Sequence, residues 1–89
     1  PVKLALGADA TFDQARERLQ NLPKTNFDLG CAFADRGDWL DAIFRFRVAA
    51  YFQPEYPQVW YNLGCCYFRT GRLAQAQAAL QKALQHKPG

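Results

Sequence analysis

Shifted by 34 residues, this chain falls on itself without gaps. A fixed period of that size marks repeated supersecondary units that stack on one another. Leu29-Gly30 falls on Leu63-Gly64, Phe33 on Tyr67, Gly37 on Gly71, Ala42 on Ala76, Phe46 on Leu80, Ala49 on Ala83 and Pro54 on Pro88. Cys31 falls on Cys65. The units are therefore residues 23–56 and 57–89. Neither can bury its apolar face alone, and 89 residues leave no room for two independent cores.

Each unit reads as two helices. The first spans about 24–35, between Pro23, suited to an opening turn, and Gly37, suited to a left-handed C-cap. Its buried side is expected at Leu29, Gly30, Ala32 and Phe33. The second spans about 39–52, with Asp38 as N-cap and an inner stripe of Ala42, Ile43, Phe46, Ala49 and Ala50. The other unit repeats this over about 58–69 and 73–86, with Arg72 in place of the Asp38 cap. Gly30 and Gly64 stand inside helices, where Gly costs roughly 1 kcal/mol against Ala. A closely approaching helix offsets that cost, and Ala42 and Ala76 are expected to face these glycines.

Before the units, Phe12, Ala15, Leu19 and Leu22 share one face of a helix from about residue 9 or 11 to 21, with Thr11 and Gln14 as a capping box. Moved by 34, Ala8, Phe12 and Ala15 land on Ala42, Phe46 and Ala49. Residues 1–22 thus read as a lead plus the second helix of a degenerate half-repeat, or as a cap. The chain opens on Pro1 and has no Met, so it is expected to be a piece of a longer protein.

On these residues the sequence resembles the tetratricopeptide repeat family. Trp60, Leu63-Gly64, Tyr67, Ala76, Leu80, Ala83 and Pro88 stand at the family's spacing, with Leu80 in the Phe place. The first unit keeps the pattern except at the front, where Asn26 stands for Trp60. Pentatricopeptide repeats, which read RNA, do not account for Trp60, Leu63-Gly64 and Pro88 together. The resemblance implies an all-α fold, a right-handed solenoid of antiparallel helix hairpins with a concave inner face. It implies a protein-interaction scaffold rather than an enzyme, with a protein or peptide partner along the first helices.

By the family's geometry the groove residues are Lys24, Phe27, Cys31, Ala34 and Asp35, and in the second unit Gln58, Tyr61, Cys65, Phe68 and Arg69. Asp35 and Arg69 hold equivalent places, and an exposed ion pair between them is favoured over a peptide anchor. Phe27 and Tyr61 are the better anchor candidates, since aromatics are enriched among binding hot spots, with packing against the adjacent repeat as the equal alternative. One subclass of the family grips a C-terminal carboxylate with a Lys and Asn clamp. Asn62 fits it, but Phe27 and Cys31 occupy the other clamp places and argue against it.

A second reading is self-association to a homo-oligomer through Leu73, Leu80 and Leu84 on the last helix. RNA binding ranks behind both. No apolar run reaches a membrane span, so no membrane insertion is expected. Cys31, Cys65 and Cys66 are an odd set with no CxxC, beside the single His86, which reads as a helix-end cation. They read as free thiols of a cytoplasmic protein, with no metal and no cofactor. The chain has no Ser and no Gly-rich phosphate loop, so no catalytic constellation appears. The net charge of +3 is uneven: residues 1–22 sum to zero, 23–56 to −1, and 57–89 to +4 with no acid.

Overall fold

The computed structural model describes residues 23–86. The readings made on residues 1–22, and on Lys87 and Pro88, lie outside the described residues. Four helices follow in order: α1 (Pro23–Asp35), α2 (Trp39–Phe52), α3 (Pro57–Arg69) and α4 (Leu73–His86). Helices α1 and α2 pack as one hairpin and α3 and α4 as a second, and α2 packs against α3 to stack them. The described architecture is all-α, a two-hairpin solenoid.

Both hairpins turn in the same way. Gly37 and Gly71 have φ of 79° and 78°, a region open to Gly without strain. At the first turn Gly37 N–H donates to Ala34 O at 2.9 Å and Asp38 N–H to Phe33 O at 2.9 Å. At the second, Gly71 N–H donates to Phe68 O at 3.1 Å and Arg72 N–H to Tyr67 O at 2.8 Å. This is the Schellman pattern, which satisfies carbonyls that a helix end leaves without partners. Asp38 does stand at the N-cap of α2, but its side chain makes no capping bond. Its carboxylate instead lies 3.4 Å from Arg36 Nε.

The core runs along the seam of α2, α3 and α4: Ala42, Ile43, Phe46, Ala49 and Ala50 from α2, Val59, Leu63, Cys66 and Tyr67 from α3, and Ala76 and Ala79 from α4. Close approach at the interior glycines takes a different form from the expected one. A β-carbon at Gly30 would stand 2.6 Å from Phe46 Cε1, and one at Gly64 would stand 2.8 Å from Leu80 Cδ2. Ala76, expected to face Gly64, does come near it, its carbonyl oxygen 3.3 Å from that β-carbon. The large side chains lie over the glycines.

The buried side of α1 also differs from expectation. Gly30 is buried, Leu29 and Phe33 are half-buried, and Ala32 is exposed. The matching α3 residues Leu63, Cys66 and Tyr67 are buried. The reason is the stacking: α2 covers that face of α3, and no described helix does so for α1. The fully buried residue on α1 besides Gly30 is Asn26, whose Oδ1 accepts from Arg45 Nη1 at 3.2 Å. In the second hairpin the equivalent Trp60 donates its indole Nε1–H to Pro54 O at 2.6 Å. That bond ties α3 to the linker between the hairpins.

Candidate functional site

Of the residues expected to line a groove, Lys24, Phe27, Cys31, Ala34, Asp35, Gln58, Tyr61 and Cys65 border three adjoining clefts, and Phe68 and Arg69 border none of the three. The first, 370 Å³, is bounded by Lys24, Phe27, Gln53, Tyr56 and Gln58. The middle one, 470 Å³, lies between Phe27, Gln58, Tyr61, Asn62, Ala83 and Leu84. The third, 160 Å³, is lined by Cys31, Ala34, Asp35, Trp39, Asn62 and Cys65. Shared residues Phe27, Gln58 and Asn62 join them into a strip.

Within this strip the two expected anchors differ. Tyr61 is 57% exposed and free to meet a ligand. Phe27 is half-buried and tilted against Phe46, with ring centroids 5.7 Å apart. Packing takes part of its surface. Phe68, 65% exposed, and exposed Cys65 point outward from α3. Lys24 Nζ donates to Asp28 Oδ2 at 2.9 Å, one turn along α1, and this bond holds its ammonium above the ordinary value. Both groups are exposed, so the pair adds little stability.

The ion pair expected between Asp35 and Arg69 does not form. Arg69 lies over the Trp39 ring, its Cζ 5.3 Å from the centroid, and Asp35 lines the thiol cleft. Cys31 behaves similarly. Its hydrogen-bonding neighbour on α3 is not Cys65 but Asn62, whose Nδ2 donates to Cys31 Sγ at 3.7 Å. Residues 34 apart are equivalents, not nearest neighbours. Those made adjacent by stacking, Asn62 and Trp39, are residues the groove assignment left out. Leu84, assigned to a self-association face, borders the middle cleft.

Two of the three thiols are weakened as acids. Burial pushes the Cys31 thiol up, the carboxylates of Asp35 and Asp28 add to this, and the Asn62 hydrogen bond pulls the other way. Burial pushes the Cys66 thiol up to about 11. Both are held protonated at neutral pH, and a thiol is a poor nucleophile. Among the described residues, no group of three His, Cys, Asp or Glu is placed to hold a metal ion. No described helix is long and apolar enough to cross a membrane.

The last-helix leucines divide. Leu73 and Leu84 are 61% and 70% exposed, while Leu80 is 37% exposed and rests on Gly64.

Comparison with protein families matches residues 57–89 to the tetratricopeptide repeat. The stretch matched is the second hairpin with its Trp60. Such repeats are in general non-catalytic protein-interaction modules. Comparison with curated proteins finds no match.

Proposed function

We propose that this tetratricopeptide-repeat chain binds a peptide segment of a partner protein along the strip formed by α1 and α3. In this reading residues 23–56 are a second repeat of the same kind, and residues 1–22 are a degenerate half-repeat or cap. The observation that carries the proposal is exposed Tyr61 beside a 470 Å³ cleft walled by Phe27 and Leu84. An apolar side chain of a peptide fits such a cleft, and the amides of Gln58 and Asn62 offer donors and acceptors to its backbone.

The test is selection of binders from a random peptide library, followed by titration against Tyr61→Ala/Phe68→Ala. Both side chains are exposed, so the variant keeps the fold. Phe27 is left intact because its ring packs on Phe46. Loss of binding by about tenfold or more supports the strip as the site. Equal binding to both proteins sinks the assignment.

A second reading rests on exposed Leu73 and Leu84, which leave an apolar face on α4 for a second copy. Sedimentation over a concentration series tests it. A dimer abolished by Leu73→Glu supports this reading, and a monomer at all concentrations removes it.

A further inference from the structure

On another part of the surface, α2, α3 and α4 enclose a cleft of 480 Å³ whose chemistry differs from that of the strip. Its walls are aromatic and apolar, from Tyr51, Pro54, Trp60 and Tyr67. Its cations are Arg47 and Lys82, and no lining residue is acidic. Lys82 Nζ sits 5.1 Å from the Trp60 ring centroid. Among the described residues neither cation has a carboxylate partner. The surroundings add nothing negative from the second hairpin, since residues 57–89 contain no Asp or Glu.

Two exposed cations beside an aromatic-walled cleft, with no anion of their own, favour a ligand that supplies both parts. We propose that this cleft is a second binding site, for an acidic peptide segment that places an apolar side chain between Tyr51 and Trp60 and its flanking carboxylates on Arg47 and Lys82. Charge complementarity is the argument for this occupant over a neutral or basic one. The cleft is open along one side, which suits a side chain continuing into a peptide backbone. A guanidinium and an ammonium held apart on α2 and α4 can each take a separate carboxylate. The site shares no lining residue with the three clefts of the strip, so it stands or falls independently of the function proposed above.

The experiment uses the full 89-residue chain labelled with nitrogen-15. Its two indole N–H signals separate the sites, because Trp60 lines this cleft and Trp39 lies under Arg69. The probe is an end-capped peptide with a central phenylalanine flanked by glutamates. Its control carries lysines in place of the glutamates. The proposal expects the acidic peptide to move the Trp60 indole signal, which reports on its bond to Pro54, and to leave Trp39 in place. Arg47→Glu/Lys82→Glu should weaken the acidic peptide about tenfold or more, and the neutral pair Arg47→Gln/Lys82→Gln by less. Both side chains are exposed, so an unchanged helical circular dichroism spectrum confirms that the variants fold. No Trp60 shift, equal binding of the lysine peptide, or full binding by the charge-reversed variant overturns the proposal. A Trp60 shift that follows protein concentration without peptide assigns the cleft to a second copy and overturns it too.

Discussion

The ring of Phe46 fills the space beside Gly30 into which a β-carbon would project, with Cε1 2.6 Å from that point. Phe46 is only 1% exposed, so the ring has nowhere to move. Leu80 blocks Gly64 in the same way but is a flexible side chain with 37% of its surface open. The two equivalent glycines should therefore respond unequally. Gly30→Ala should cost about 1–2 kcal/mol, since overpacking outweighs the gain in helix propensity. Gly64→Ala should lie nearer to neutral. Urea unfolding midpoints of the two variants check the order, and a larger loss at Gly64 would refute it.

Asn26 holds the place that Trp60 has in the second hairpin, and substitution toward the family pattern should fail there. The amide is fully buried and accepts a hydrogen bond from Arg45. Asn26→Trp should destabilise by about 1–3 kcal/mol through overpacking and loss of that bond. Asn26→Ala should also destabilise, because it leaves a cavity and removes the partner of Arg45. Thermal unfolding decides the point: a tryptophan variant with a raised Tm would show that the site has room.

At the turns, Gly37 and Gly71 are in the left-handed region with open space around them. Alanine at either position meets no neighbour and pays only the backbone cost, about 1–2 kcal/mol. The two losses should be similar, and denaturant titration should show the double variant close to additive.

The three cysteines should alkylate in order of access. Cys65 is exposed, Cys31 half-buried and Cys66 buried. With the Cys66 thiol at about 11, roughly one molecule in a few thousand is thiolate at pH 7.5. Mass spectrometry after iodoacetamide should show Cys65 modified first and Cys66 only on unfolding. The raised value also gives a pH dependence. Folding favours the protonated thiol, so its contribution is complete below the ordinary value of 9.0 and is lost as pH rises toward about 11. Across that window the native chain should lose more stability than Cys66→Ala. Parallel curves would show that Cys66 does not contribute.

Much of the fold was legible because its determinants are local. The bounds Trp39–Phe52 and Leu73–His86 follow from apolar spacing closed by Gly or Pro, and the left-handed turns follow from Gly37 and Gly71. A self-comparison finds equivalents but not contacts. The pairs that touch across a hairpin, Gly30 with Phe46 and Asn26 with Arg45, are set by how two helices slide past each other. The pairs that touch between hairpins, Cys31 with Asn62 and Trp39 with Arg69, are offset from the repeat length for the same reason. That offset undid the expected pairing of Asp35 with Arg69. The exposure of Ala32 was illegible on similar grounds, since burial on α1 depends on a helix other than its own partner.

The bond from Trp60 to the Pro54 carbonyl makes the two hairpins different parts. The turn inside each hairpin is written twice, and the latch at the described joint belongs to the second hairpin. Rearranging the gene so that the second hairpin came first would carry Trp60 away from the linker it fastens and put Asn26 at the new joint. A short amide already engaged with Arg45 offers no indole to reach a linker carbonyl. The joint is thus sensitive to the order of the modules, while the turn inside each is the same in both.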